Sequence, residues 1–93
     1  MRSVVITGAG SGIGAATVVR LDRDGWRVFA GVHDPQDLEI LDRQTSDRVT
    51  VVLLDVTNAA SVKDFAGQVD AQLGNDGLHA LVDNAGKGVA GPL

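Results

Sequence analysis

The sequence predicts an α/β fold, a doubly wound four-stranded parallel sheet in the order βαβαβαβ, forming one small domain over residues 1–93. Three observations predict it. Short continuous apolar runs alternate with segments of helical period, as expected of strands buried on both faces and joined by right-handed crossovers. A glycine-rich stretch, T-G-A-G-S-G-I-G at residues 7–14, links the first run to the first helical segment. Turn and cap residues punctuate the remaining boundaries, at Gly25, Asp34-Pro35, Asp55 to Asn58 and Gly74 to Gly77.

The elements follow in order. Ser3–Thr7 is a short apolar strand of the kind found inside a parallel sheet. A helix runs from Gly12 to about Asp24, with Val18 and Leu21 spaced from Gly14 to share a face, and Gly25 stops it. Arg27–Val32 is the second strand, and Asp34-Pro35 starts a short helix through Leu38 and Leu41. Val49–Leu54 is the third strand. Thr57 or Asn58 is then placed to cap a helix whose apolar face is Val62, Phe65, Val69 and Leu73. Leu78–Asp83 is the fourth strand, leading into Asn84-Ala85-Gly86. In such a sheet the crevice lies at the carboxyl ends of strands one and four, where the strand order switches direction. Thr7–Gly14 and Asn84–Gly86 both arrive there.

Composition narrows the function. With 44% hydrophobic and 22% charged residues the chain is an ordinary globular domain, which argues against disorder. The net charge is −4 and no basic stripe is present, so nucleic acid is not an expected partner. No cysteine occurs, which excludes disulfides and thiolate metal sites, and no metal site is assigned. The first strand begins directly after Met1-Arg2 and no run approaches membrane-spanning length. A cytoplasmic protein without a membrane partner is the expectation.

The glycine stretch is informative because of its position. A glycine turn between a buried strand and a helix lets backbone N–H groups approach a pyrophosphate at the positive end of the helix. Side chains at Gly8, Gly12 or Gly14 would obstruct the turn, the phosphate or the helix contact. Two further stretches join it, L-D-V-T at residues 54–57 and D-N-A-G at 83–86. Together the three resemble the short-chain dehydrogenase/reductase family along the whole chain, with its Rossmann-type dinucleotide fold.

The resemblance implies site residues. Thr7, Gly8, Ser11, Gly12, Ile13 and Gly14 match the family's diphosphate turn. Asp55 and Val56 match the pair that holds the adenine ring, and Asn84, Ala85 and Gly86 match most of the stretch bordering the cofactor. Asp83 stands where the family has an asparagine, placing a carboxylate near the diphosphate. For the choice of cofactor, a count of about twenty residues from the last glycine reaches Asp34. Alignment to the family instead puts Val32 at the usual acid position and His33 where NADP-type members carry arginine. The expected cofactor is therefore NADP or NAD, leaning to NADP through His33.

The family's catalytic serine, tyrosine and lysine lie beyond the fourth strand. This chain contains no tyrosine. No catalytic residue is assigned, and the resemblance implies the dinucleotide-binding half of an NAD(P)-dependent oxidoreductase, truncated, with the isolated chain inactive. The alternative is a non-catalytic dinucleotide-binding or interaction module acting with a partner chain. Leaving the fourth strand at the sheet edge, beside a bare face that the family's later elements would cover, also predicts self-association.

Overall fold

The computed structural model describes residues 1–84. The chain runs β1 (Ser3–Thr7), α1 (Gly12–Arg23), β2 (Arg27–Val32), α2 (Pro35–Gln44), β3 (Val49–Leu53), α3 (Ala59–Leu73) and β4 (Ala80–Asp83). Every pairing is parallel and the strands lie in the order β3-β2-β1-β4. The direction of travel across the sheet reverses between β1 and β4, so the carboxyl ends of these two strands lie side by side.

Alternation along each strand divides the core into two layers. Val4 and Ile6 of β1, with Val28, Ala30 and Val32 of β2, face Val18 of α1 and Leu41 of α2. Val5 and Phe29 point the other way, onto Phe65, Val69 and Leu73 of α3. Phe29 and Ile6 are among the largest side chains fully removed from water. Each such burial contributes about 1.5–3 kcal/mol.

The helix boundaries follow from local chemistry. Asp34 caps α2, its carboxylate accepting from the Gln36 amide at 2.8 Å, and Pro35 fills the first helical position. Asn58 caps α3 through the Ser61 amide at 3.1 Å, so the cap is Asn58 and not Thr57. Gly25 takes φ +88 after α1 and Gly74 takes φ +59 after α3, a region that side-chain-bearing residues avoid.

Three boundaries differ from expectation. β4 begins at Ala80 rather than Leu78, because the side chain of His79 takes over part of the ladder. Its Nδ1 accepts the Ser3 amide at 3.2 Å while the Ser3 hydroxyl donates to the Gly77 carbonyl at 3.0 Å. β3 stops at Leu53, although the Leu54 amide still donates to the Val32 carbonyl at 2.7 Å and its side chain packs on the α3 layer. The helix α2 continues to Gln44, and the Thr45 hydroxyl then bonds the Leu41 carbonyl at 2.9 Å.

A polar lock lies at the opposite, amino edge of the sheet. Asp22, 6% exposed near the end of α1, accepts from the amide of Ser46 at 2.9 Å and from its hydroxyl at 2.5 Å. Arg48 Nε lies 3.3 Å from the same carboxylate and its guanidinium donates to the Asp22 carbonyl. Burial disfavours the Asp22 carboxylate, but the Ser46 bonds and the Arg48 charge outweigh it and hold the carboxyl below its ordinary value.

Candidate functional site

The described residues singled out by sequence lie at the carboxyl edge of the sheet. After β1 the chain makes a tight turn in which Gly8 has φ +64 and Gly12 φ +59. Ala9 is fully buried and its amide donates to the Gly31 carbonyl at 3.0 Å, which ties the turn to β2. Gly14 is required for a different reason. A Cβ there would lie 2.2 Å from the Gly8 carbonyl oxygen, so its absence lets the first turn of α1 press against the loop backbone. Around Gly12, by contrast, a Cβ would meet nothing within 4 Å, and the space in front of it is open.

That open space faces a helix start with its donors unspent. Ser11 is the N-cap residue of α1, yet its side chain caps nothing, and the first turn holds no acid. The first N–H groups of a helix have no intrahelical partner and carry partial positive charge. At α2 and α3 a side-chain carboxylate or amide satisfies one of them; at α1 none does. Ile13 stands beside this end with its side chain 79% exposed. The arrangement suits an anion with an apolar group alongside.

The rest of the crevice is built around this turn. The Thr7 hydroxyl donates to Asp83 Oδ1 at 2.7 Å, and the Asn84 amide donates to the Thr7 carbonyl at 3.2 Å. Asp83 is thus used as a strut between β1 and β4. The remaining predicted residues on this segment, Ala85 and Gly86, lie outside the described residues.

At the end of β3, Asp55 Oδ1 accepts from both the amide and the hydroxyl of Thr57, at 2.9 and 2.6 Å. These bonds hold its carboxyl below the ordinary range, with burial opposing and the charge of His33 adding to them. Oδ2 receives no bond among the described residues, so an ionised acceptor is left over. The Asp55 amide donates to Ser61 Oγ at 2.9 Å, which fixes this turn on α3. Val56 beside it is 46% exposed, an apolar surface next to an acceptor. A flat ring with an exocyclic amine matches that pair. His33 is exposed at the end of β2, between the two turns.

Sequence reasoning missed Asp37. A Cβ on Gly10 would come within 2.6 Å of Asp37 Oδ2, so this side chain of α2 lies directly over the glycine turn. Its only signal in the sequence is an acid in the first turn of the helix after β2.

The comparisons with known proteins agree with this fold. The sequence matches the family profile described as short chain dehydrogenase over residues 2–93. The chain belongs to the short-chain dehydrogenase family. It is 39% identical over 90 residues to mouse retinol dehydrogenase 5, covering 96% of this chain and 28% of that protein. Among solved structures, a variant of actinorhodin polyketide ketoreductase with NADPH superposes with a TM-score of 0.82. The identity is 26%, over 92% of this chain and 33% of that one. The 3-ketoacyl-(acyl-carrier-protein) reductase of Brucella melitensis, complexed with NADH, gives 0.78 at 25% identity, over 86% and 32%. The short-chain dehydrogenase assignment therefore covers nearly the whole chain, which spans about a third or less of each of these proteins.

Proposed function

We propose that this chain is the dinucleotide-binding half of a short-chain dehydrogenase/reductase, holding NAD or NADP for an oxidoreductase acting on an alcohol or carbonyl. The observation that carries the reading is α1, which alone of the described helices starts with neither a side-chain cap nor an acid, directly behind an open glycine turn. Backbone N–H groups of Gly12, Ile13 and Gly14 would hold the diphosphate there, with Gly8 and Ser11 shaping the approach and Ile13 covering one side. Asp55 would accept the adenine amine at Oδ2, and Val56 would lie against the ring. Thr7, through Asp83, ties β1 to β4 at the edge where Asn84 would border the cofactor.

The bound nicotinamide supplies a hydride donor or acceptor. The chain's own residues bind and orient. None of the 93 residues is a tyrosine, so the family's usual proton-transferring group is not supplied by this chain. The binding contacts named here all fall on the adenosine and diphosphate portions. ADP-ribose should therefore bind within about threefold of the full dinucleotide, a difference below about 0.7 kcal/mol. Calorimetry tests this. Gly12→Val should abolish binding, because a β-branched residue is strained at φ +59 and would fill the open space. Absence of ADP-ribose binding by the parent chain would overturn the reading, and much tighter binding of the full dinucleotide would show that the contacts lie elsewhere.

The groove between α3 and β4 supports self-association. It is lined by Val5, Phe65 and Val69 below and by Leu78 and Leu81 at its rim.

A further inference from the structure

We propose that Asp37 sets the cofactor preference of this site, favouring an adenosine ribose with a free 2′-hydroxyl over one bearing a 2′-phosphate. The inference rests on the dinucleotide reading above. It follows from where the ribose must lie. The diphosphate end of the site is the turn after β1, and the adenine end is Asp55-Val56 after β3. In the sheet order β3-β2-β1-β4, β2 separates those two strands. A ribose joining adenine to diphosphate therefore passes over the carboxyl end of β2 and the start of α2.

The groups waiting there are mainly acidic. Val32 is fully buried and presents nothing to a ligand. Asp34 caps α2 through its Oδ1. Asp37, one turn further, is half-buried, and its Oδ2 lies over Gly10, where an added Cβ would come within 2.6 Å of it. No hydrogen bond or ion pair to a described residue engages its carboxylate. A ribose hydroxyl can donate to such a group, whereas a phosphate dianion is repelled by it. No lysine or arginine occurs from Thr7 to Gly14 or from Val32 to Leu38. His33 is the one basic group, and its charge also acts on Asp55, so Asp34, Asp37 and Asp55 outweigh it. The structure thus shifts the balance away from NADP, the form that His33 by itself favours.

The test uses the full chain and two probes, ADP-ribose and 2′-phospho-ADP-ribose, titrated by calorimetry at low salt. The parent chain should bind ADP-ribose at least tenfold more tightly, about 1.4 kcal/mol. Asp37→Asn should reduce that ratio about tenfold, while His33→Ala moves it less than threefold. Raising the salt to about 0.5 M should narrow the ratio for the parent and leave Asp37→Asn nearly unchanged, since only a charge effect is screened. A parent chain that prefers the phosphorylated probe, or a ratio that Asp37→Asn leaves in place, overturns the proposal while dinucleotide binding stands. Failure of both probes to bind the parent overturns the dinucleotide reading as well.

Discussion

Asp22 shows how much of this small fold depends on one side chain that its sequence context does not flag. It sits on the helix α1, where an aspartate would pass for a solvated residue, and it is nonetheless buried and bonded to Ser46 and Arg48 of a distant loop. The neighbouring Arg20–Asp24 pair, four residues apart and exposed, is the kind that contributes only a few tenths of a kcal/mol. Asp22 differs because its partners hold it ionised out of water. A carboxyl whose folded pKa is depressed contributes stability that is full above its unfolded value, about 4, and is lost as pH falls through the folded value. Asp22→Asn should therefore cost about 1–2 kcal/mol at pH 7 and progressively less towards pH 3. Urea unfolding of both chains across that range measures the gap; a gap independent of pH would show that charge is not the cause.

The same contrast between local and long-range signals runs through the helices and strands. β1, β2 and most of β3 were legible, because a strand buried on both faces needs an unbroken apolar run and few other segments have one. The helix α3 was legible from its spacing, with Phe65, Val69 and Leu73 buried as expected. Val62, on the same face, is 42% exposed at the side of the groove between α3 and β4. The start of β4 was not legible, since it depends on His79 reaching Ser3 across the sheet. Nor was Asp37, whose place over Gly10 requires α2 to be docked first. The glycine turn, by contrast, declares itself through backbone geometry alone. A comparison of helix starts follows from this. Asn58→Ala should cost about 1 kcal/mol, since it removes a cap from α3. Ser11→Ala should cost no more than about 0.3 kcal/mol, because its side chain caps nothing, consistent with an α1 terminus held for a ligand. Thermal unfolding of the two variants decides; equal losses would mean that Ser11 caps α1 in solution.

Taken as one body, the sheet is covered unequally. On one face α1 and α2 pack over a cluster extending from Val49 of β3 to Ala80 and Val82 of β4. On the other a single helix, α3, covers Val5 and Phe29 and stops short of β4. Leu81 is left 64% exposed and Leu78 44%, along an apolar groove that also includes Val56 and Val62. β4 is at the same time an edge strand, pairing only with β1 among the described residues. An exposed apolar groove beside an edge strand favours association with another chain, which is the prediction here. A two-fold dimer is the simplest closed arrangement, since it lets each copy bury the groove of the other. Leu81→Lys is the discriminating variant. Its side chain is largely in water in the monomer, so its fold should lose less than about 0.5 kcal/mol, while the charge would be buried in the dimer at a cost of a few kcal/mol. Sedimentation at micromolar concentration should show a dimer for the parent chain and a monomer of equal thermal stability for Leu81→Lys. Amide exchange should show β4 more protected in the parent than in the variant. A parent chain that sediments as a monodisperse monomer with a protected β4 would rule the dimer out, because the edge would then be stable without a partner.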